Sequence, residues 1–317
     1  CDKARFVLKG NLINRPIDSF INTFKNQDIS ISKIEDGYIV SGTLKSGLFE
    51  IEGDVSSQFI SGLLFALPIL DGDSKIVIKN KISSLNYILM TIDTIRKFGI
   101  DVNFSIDEQI IYIKGNQVYQ SKEYHVENDY SQAAFFLGLG AINDQITVKG
   151  MNPLSYQADK NVIPLLKKMG VNLLVKDDSI TAYPSKIKGT TLSLDENPDL
   201  GPILIGISSF SSSPMTFTNI KRLRIKESDR IEAMRYNLDL LGVKSSCPNE
   251  DTLIIYPNTL TKPLKTLSSF NDHRIFMTLA VITSHLEEVS IDNELCINKS
   301  YPRFLEDLKS IKEGQYE

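Results

Sequence analysis

A dense cluster of cationic side chains occupies residues 221–230, Lys-Arg-Leu-Arg-Ile-Lys-Glu-Ser-Asp-Arg, directly before an apolar stripe at helical spacing. Lys226 and Arg230 share one face of the predicted helix start, where like charges repel and the helix dipole disfavours cations. A bound phosphate or carboxylate would relieve both penalties. The segment therefore predicts an anion site. The plainer alternative is a solvated face on which Glu227 and Asp229 neutralise the cations.

Three further cations lie at predicted helix starts. Arg274 follows Asp272, the predicted N-cap of an otherwise apolar helix. Arg15 directly precedes a proline suited to a first helical turn, and Lys299 directly precedes the last predicted helix. Each alone would be an ordinary surface charge. Together with Arg230 they predict a site for a substrate with several negative charges, provided that the fold brings these helix starts to one cleft.

Uncharged and acidic side chains at other helix starts could also do chemistry. Ser56, Ser57 and Gln58 could hydrogen-bond sugar-like hydroxyls or a phosphate, although ordinary N-capping explains the serines equally well. Asp199 could accept a proton from a substrate hydroxyl, with capping as the plainer role. His273, beside the predicted cap, is by residue type more typical of capping or packing than of catalysis.

The elements that carry these residues follow a repeated pattern. Small-residue-rich apolar helices follow four aspartates about 70 to 75 residues apart: Asp54, Asp129, Asp199 and Asp272. Short strands are predicted after these helices, at 75–79, 145–149, 214–219 and 288–292. An amphipathic helix comes next, and the first three end at glycines that can adopt the left-handed cap conformation: Gly99, Gly170 and Gly242. The pattern predicts a mixed α/β fold of β-α-β-α-β-β units, with apolar helices inside and sheets around them.

The repeat also sets the expected domain organisation. A strand at 5–9 and an amphipathic helix at 15–26 match the second half of a unit, so the sequence is expected to open partway through one. We place the domain boundary near Val126, with an incomplete N-terminal domain at 1–126 and a C-terminal domain at 127–317.

Composition narrows the class of protein. The 317 residues are 42% hydrophobic, which is enough for a sizeable core, and the net charge of −4 gives no general footprint for nucleic acid. The three cysteines are widely spread, which favours reduced thiols over a zinc site. No apolar run approaches the length of about 20 residues that spans a bilayer. We therefore expect a cytoplasmic protein that has no metal and binds neither membrane nor nucleic acid.

Three motifs in this order resemble the EPSP synthase family, the 3-phosphoshikimate 1-carboxyvinyltransferases: Asp54-Val-Ser-Ser-Gln-Phe59, Leu223-Arg-Ile-Lys-Glu-Ser-Asp-Arg230 and Asn271-Asp-His-Arg274. The resemblance covers the whole chain, and the Ser-Ser-Gln and Lys-Glu-Ser-Asp-Arg strings favour this family over the related UDP-N-acetylglucosamine enolpyruvyl transferases. It implies six units in two domains, with the active site in the cleft between them. It also implies that about one and a half upstream units, which carry ligands of both substrates, are absent from this sequence.

The resemblance implies transfer of the enolpyruvyl group of phosphoenolpyruvate to the 5-hydroxyl of shikimate 3-phosphate, with release of phosphate and without a cofactor. The residues implied to bind shikimate 3-phosphate are Ser56, Ser57, Gln58, Ser84, Tyr87, Asp199 and Lys226. Those implied to bind phosphoenolpyruvate are Arg15, Gln58, Arg230, Arg274 and Lys299. Ser84 and Tyr87 belong to a Ser-Leu-Asn-Tyr stretch where the family usually has Ser-Lys-Pro-Tyr.

The catalytic candidates are Asp199, Lys226, Glu227 and His273. Our hypothesis is that Asp199 handles the hydroxyl proton and Glu227 exchanges the proton at C3, which requires a raised pKa of Glu227. Lys226 and the arginines would stabilise the anionic intermediate. The two substrates are the only expected partners, and we expect a monomer when the protein is full length. The alternatives are an inactive anion-binding fragment, or an enzyme of the same architecture acting on a UDP-sugar or an RNA end.

Overall fold

The computed structural model describes residues 3–14, 17–82 and 85–312. The chain divides into two compact units, Cys1–His125 and Val126–Glu317. Each unit combines small sheets with helices, which is the predicted mixed α/β class.

The described residues of the first unit form two sheets. Its elements in chain order are β1 (Lys3–Val7), α1 (Asp18–Thr23), β2 (Ile29–Ile34), β3 (Gly37–Gly42), β4 (Leu48–Glu52), α2 (Ser57–Ala66), β5 (Ser74–Lys79), α3 (Leu85–Lys97), β6 (Val102–Ser105) and β7 (Ile110–Ile113). One sheet has the order β1-β3-β2 and is antiparallel throughout. The other has the order β4-β5-β7-β6, in which only β4 and β5 are parallel.

The part of the second unit that the structure describes, up to residue 312, also forms two sheets. Its elements are α4 (Tyr130–Ile142), β8 (Ile146–Lys149), α5 (Val162–Lys168), β9 (Asn172–Val175), β10 (Ser179–Tyr183), β11 (Thr191–Ser193), α6 (Gly201–Ser208), β12 (Met215–Thr218), α7 (Arg230–Leu240), β13 (Lys244–Asn249), β14 (Thr252–Tyr256), α8 (His273–Ile282) and α9 (Phe304–Lys312). The sheet orders are β8-β10-β9, which is antiparallel, and β11-β12-β14-β13, in which only β11 and β12 are parallel.

The order β-α-β-α-β-β occurs twice in full, from β4 to β7 and from β11 to β14. In both cases an apolar helix connects the parallel pair, because parallel neighbours need a crossover that a tight hairpin cannot supply. The amphipathic helices α3, α5 and α7 each end two residues before a glycine with φ between 83° and 87°: Gly99, Gly170 and Gly242. The predicted left-handed glycine caps are therefore confirmed.

The apolar helices of the second unit form its core. Every residue of α6 and α8 is buried, as are most residues of α4, and sheet residues such as Phe217 and Ile255 cover them. This arrangement follows from their sequences, because a helix that is apolar on all faces must be covered on all of them. In the first unit α2 buries one face, with Leu63 and Leu64 inside and Phe65 exposed.

One predicted strand is wrong. Residues 288–292 form no strand; within the described part of the chain they contribute only a parallel bridge from Ile291 to Leu267. The extended segment is short because Glu288 at its start has a left-handed conformation with φ of 53°, and Asn293 directly after it has one with φ of 46°. The predicted helix at 15–26 is observed as the shorter α1, and that at 301–311 as α9.

A close approach of α6 and α8 gives a stability prediction. A Cβ at Gly206 would lie 2.5 Å from Thr278 Cγ2, so Gly206→Ala should destabilise the protein by about 1–3 kcal/mol through overpacking. In α2, a Cβ at Gly62 would meet nothing closer than 3.9 Å, so Gly62→Ala should stabilise by about 0.5–1 kcal/mol. Urea unfolding followed by circular dichroism measures both. Equal effects of the two changes would contradict the packing described here.

Candidate active site

Arg230, the first residue of α7, is the centre of a buried ion cluster. Its side chain is 1% exposed and donates to three carboxylates: from Nε to Asp272 Oδ2 at 2.8 Å, from Nη1 to Asp199 Oδ1 at 2.7 Å, and from Nη2 to Glu227 Oε2 at 2.8 Å. A buried guanidinium requires such partners, because an unpaired charge away from water is strongly unfavourable. In this arrangement the cations of the predicted anion site are paired with the protein's own carboxylates, and Glu227 is one of the partners that the plainer alternative named.

Asp199 lies in the helical turn Pro198–Leu200, directly before α6. It forms no N-cap, so the capping alternative is excluded; instead its carboxylate lies 3.3 Å from Lys226 Nζ and 3.8 Å from Arg274 Nη2, in addition to Arg230. Burial by itself would raise the pKa of Asp199, but Arg274, Lys226 and Arg230 together hold it well below its usual value. Asp199 is therefore an ionised carboxylate at neutral pH.

Arg274 connects the starts of the three buried helices. Its backbone N–H donates to Asp272 Oδ1 at 2.9 Å, which confirms Asp272 as the N-cap of α8. Its guanidinium donates from Nη1 to the Asp199 carbonyl at 3.2 Å, before α6, and from Nη2 to Ser131 Oγ at 3.0 Å, in the first turn of α4. The fold thus brings the first turns of α4, α6 and α8 around one buried cation.

Glu227 lies between Arg230 and Lys299. Its second oxygen accepts a hydrogen bond from Lys299 Nζ at 3.2 Å, and the Lys299 side chain is 59% exposed. Burial would raise the pKa of Glu227, but Arg230 and Lys299 lower it to about 2. This is the reverse of the raised pKa that an acid catalyst requires. In this arrangement Glu227 is a carboxylate that accepts protons poorly.

His273 is the first residue of α8 and is 5% exposed. Its pKa is lowered to about 4 by burial and by the adjacent Arg274, against the opposing effect of Asp272. Within the described residues its Nδ1 has no hydrogen-bond partner. At neutral pH His273 is therefore an uncharged imidazole beside the charged cluster.

The predicted site residues fall into two groups. The second unit brings seven of them together: Asp199, Lys226, Glu227, Arg230, His273, Arg274 and Lys299. The first unit carries the others that are described. Ser56 is the N-cap of α2, where it accepts from the Gln58 N–H at 3.3 Å; Ser57 is the first residue of that helix, and Tyr87 lies in the first turn of α3. Arg15 and Ser84 lie outside the described residues.

Three buried residues of this region were missed as site residues. Asp272 was predicted only as a helix cap, and Ser131 and Asp159 were not predicted at all. Ser131 lies two residues after the cap Asp129, just as Arg274 lies two residues after the cap Asp272. The repeat therefore indicated that Ser131 occupies the position equivalent to that of Arg274. Asp159 lies in a polar stretch without periodicity, and the sequence gives no sign that it is buried.

Among residues 3–14, 17–82 and 85–312, no group of three or more His, Cys, Asp or Glu side chains is arranged to hold a metal ion. None of the helices in these same ranges is long and apolar enough to cross a bilayer.

Comparison with known proteins gives consistent results. A profile of the family described as EPSP synthase (3-phosphoshikimate 1-carboxyvinyltransferase) matches residues 2–308. The 3-phosphoshikimate 1-carboxyvinyltransferase of Clostridium kluyveri is 40% identical over 314 residues, which are 98% of this chain and 73% of that protein. The one from Clostridium novyi is 40% identical over 312 residues, covering 98% and 71%.

Solved structures show the same fold. An EPSP synthase from Acinetobacter baumannii superposes with a TM-score of 0.79 at 22% identity, covering 98% of this chain and 73% of that one. The enolpyruvyl transferase NikO from Streptomyces tendae gives a TM-score of 0.73 at 14% identity, again over 98% and 73%. At these identities the likeness concerns the fold alone.

The buried ion cluster yields a second stability prediction. Asp272→Asn should destabilise the protein by about 3 kcal/mol, because it removes a charge from a fully buried pair and leaves Arg230 undercompensated. The matched control is Glu288→Gln, which removes the same charge from an exposed pair with Lys262 and should change stability by about 0.5 kcal/mol or less. Urea unfolding of both variants is the measurement. A small effect of Asp272→Asn would mean that the buried pair is not needed to hold the cluster.

Proposed function

This chain belongs to the EPSP synthase family, and we propose that the cluster around Arg230 is where its 3-phosphoshikimate 1-carboxyvinyltransferase chemistry takes place. That activity is the transfer of the enolpyruvyl group from phosphoenolpyruvate to shikimate 3-phosphate in the shikimate pathway. The observation that carries the site proposal is the buried Arg230, whose three carboxylate partners include Asp199 and Glu227, the proposed proton carriers.

Substrate binding is proposed to exchange anions within this cluster. Phosphoenolpyruvate brings a phosphate and a carboxylate, which would take Arg230, Arg274 and Lys299 as partners in place of part of their contacts with Asp199 and Glu227. Lys299 is the most accessible of these cations. The exchange leaves the buried cations compensated at every stage, which limits the desolvation penalty of binding.

The same exchange would prepare Glu227 for acid catalysis. Its pKa is about 2 because Arg230 and Lys299 outweigh the effect of burial. When a substrate anion takes over those two cations, burial and the new negative charge both act to raise the pKa of Glu227. Glu227 could then take up a proton and deliver it to C3 of phosphoenolpyruvate as the hydroxyl adds to C2. In the second step it would remove a proton from C3 as phosphate leaves.

Asp199 and Lys226 are proposed to act on the other substrate. Asp199 would accept the proton of the 5-hydroxyl of shikimate 3-phosphate, and for this it must lose part of its contact with Lys226 and Arg230. Lys226, released from Asp199, would then stabilise the anionic tetrahedral intermediate. His273, which is neutral, would offer a hydrogen bond through its unpartnered Nδ1 without adding charge.

The first unit is proposed to supply ligands of shikimate 3-phosphate. Ser56, Ser57 and Gln58 stand at the start of α2, where a helix N-terminus favours an anion, and Tyr87 stands in the first turn of α3. Arg15, as a ligand of phosphoenolpyruvate, and Ser84, as a ligand of shikimate 3-phosphate, remain proposals from the sequence. So does the division into domains at 1–126 and 127–317.

We further propose that the enzyme acts in the cytoplasm as a monomer on these two small molecules alone, without metal or organic cofactor. Cys247 and Cys296 are free thiols, in keeping with a reducing compartment.

The substrate assignment is tested by phosphate release. Phosphoenolpyruvate with shikimate 3-phosphate should release phosphate, and phosphoenolpyruvate with UDP-N-acetylglucosamine should not, because the Ser-Ser-Gln string at 56–58 and the Lys-Glu-Ser-Asp-Arg string at 226–230 favour the shikimate substrate. Release with the UDP-sugar alone would reassign the substrate. Binding of shikimate 3-phosphate without any release would favour an anion-binding role for this chain.

The role of Glu227 is tested by Glu227→Gln. Turnover should fall by about 100-fold or more, because the amide cannot carry the proton to C3, while the Kd of shikimate 3-phosphate should change by less than about threefold. The matched control is Glu232→Gln on α7, whose carboxylate pairs with Arg224 and Arg235 away from the cluster. It should leave turnover unchanged. If Glu227→Gln turns over at the normal rate, Glu227 has no part in proton transfer.

A further inference from the structure

A tight turn with an unusual backbone directly precedes α8. The Asp272 N–H donates to the Ser269 carbonyl at 2.9 Å, which closes a four-residue turn over residues 269–272. Its two central residues, Phe270 and Asn271, are both left-handed, with φ of 51° and 56°. Asparagine adopts this conformation fairly readily, but for a bulky side chain such as that of Phe270 it is a genuine outlier. The left-handed turn therefore needs neighbours that impose it.

Asn237 of α7 fixes the residue that precedes the left-handed turn. Its side chain is fully buried, and it binds both backbone polar groups of Ser268: Oδ1 accepts from the N–H at 2.9 Å, and Nδ2 donates to the carbonyl at 2.8 Å. Nδ2 also donates to the Ala233 carbonyl of the same helix at 2.8 Å, which fixes the orientation of the amide. Removal of the amide would leave both groups of Ser268 without these partners.

One face of α7 contacts both ends of the left-handed turn. Arg230 and Asn237 are seven residues apart, which is about two helical turns, so they lie on the same face. Arg230 Nε donates to Asp272 Oδ2 at 2.8 Å, at the end of the turn, while Asn237 holds Ser268 just before it. The distance between the ends of the turn is thus set by a rigid helix.

Asp292 constrains the same turn from a second segment. Its carboxylate accepts from the Ser269 N–H at 2.6 Å and from Ser268 Oγ at 2.8 Å. Directly after it, Asn293 donates from Nδ2 to Asn271 Oδ1 at 2.9 Å, inside the turn. Asp292 is exposed, so these contacts form at the surface, whereas those of Asn237 form in the interior.

The segment of Asp292 also carries one of the cations of the ion cluster. The helical turn Glu294–Lys299 begins two residues after Asp292, and Lys299 at its end donates to Glu227 Oε1 at 3.2 Å. Arg274 lies two residues after the left-handed turn, in the first turn of α8. The contacts of Asp292 therefore connect the backbone that carries Lys299 to the backbone that carries Arg274.

We propose that Asn237 and Asp292 are positioning residues for phosphoenolpyruvate, because they impose the left-handed turn and thereby set the positions of Arg274 and Lys299. The inference rests on the proposed function, in which these two cations bind phosphoenolpyruvate. Neither positioning residue touches a reacting atom. Without their contacts the turn would relax toward negative φ, and the two cations would no longer be held at a fixed spacing for one substrate.

A positioning role and a merely structural role predict different kinetics. Loss of stability reduces the number of active molecules, so it lowers the apparent kcat and leaves both KM values unchanged. Relaxation of the left-handed turn in the folded enzyme raises the KM of phosphoenolpyruvate. The KM of shikimate 3-phosphate should stay the same, because its proposed ligands lie on other segments.

Asp292→Ala is the first variant, because removal of an exposed side chain leaves no cavity. The KM of phosphoenolpyruvate, measured by phosphate release, should rise about tenfold, and that of shikimate 3-phosphate less than about twofold. Asp292→Asn should stay within about threefold, because its Oδ1 can accept from the Ser269 N–H and its Nδ2 can donate to Ser268 Oγ. The matched control is Glu294→Ala, at an exposed carboxylate that makes no hydrogen bond or ion pair in the described part of the chain; both KM values should be unchanged.

Asn237→Ala tests the buried contact. It should give the same selective rise in the KM of phosphoenolpyruvate, by about tenfold or more, together with a loss of stability. Thr181→Val is its control, because Thr181 is also buried and its Oγ1 hydrogen-bonds Thr147 Oγ1 at 2.8 Å, between β10 and β8. This variant should lose stability and keep both KM values.

Two kinetic results would overturn the proposal: unchanged KM values in both Asp292→Ala and Asn237→Ala, or an equal rise for the two substrates. Hydrogen exchange of the Arg230 Nε–H group, followed by NMR in 15N-labelled protein, tests it without turnover, since this proton is donated to Asp272 at the end of the turn. Exchange should be about tenfold faster in Asp292→Ala than in the unchanged protein and in Glu294→Ala. Equal rates in all three would contradict us. Slow exchange in an unchanged protein that releases no phosphate would count against the proposed function alone.

Discussion

The second unit depends on the compensation of one buried guanidinium. Arg230 is 1% exposed and reaches carboxylates from three separate segments: Asp199 before α6, Glu227 before α7 and Asp272 before α8. An isolated charge at this depth would be strongly unfavourable. If one of these segments moved away, Arg230 would therefore need another anion in place of the lost carboxylate. This geometry buries charge inside the second unit, and in the proposed function an incoming anion would exchange with part of that charge.

The ion cluster around Arg230 lies at the helix starts because the apolar remainder of each buried helix offers no partner for a charge. Helices α6 and α8 are buried along their whole length, and only their first turns carry capping groups and unsatisfied backbone N–H donors. Arg274 would be unfavourable there if the helix dipole acted alone. Its bonds to the Asp199 carbonyl and Ser131 Oγ compensate, and they fix the three helix starts to one another.

Features that depend on local interactions could be predicted from the sequence, whereas contacts between residues distant in the chain could not. The glycine-ended helices, the apolar core helices and the cap Asp272 are local patterns, and they are observed as predicted. The charged residues of the cluster could be named because each stands at a helix start, but their pairing could not: Arg230 and its partner Asp272 are 42 residues apart. The sequence left two roles open for Asp199, helix capping and proton transfer, and its contacts exclude only capping. The strand predicted at 288–292 is not observed, because residues in the left-handed conformation lie at both ends of this segment. Side-chain type alone does not reveal that conformation.

A cluster with nearly equal numbers of cations and carboxylates would suit the proposed reaction between two polyanions. A site of bare cations would bind such substrates tightly but would hold the product and phosphate equally well. Among the described residues of the cluster, Lys226 is paired with Asp199 and Lys299 with Glu227, so an anion that binds there as proposed would replace one ion pair by another. The displaced carboxylates would then lie beside the substrate, and their pKa values would be raised by burial and by the negative charge of the substrate. In the proposed mechanism the carboxylates that neutralise the substrate-free cluster would become the acid and base of the substrate-bound one, and the departure of phosphate would restore their original partners.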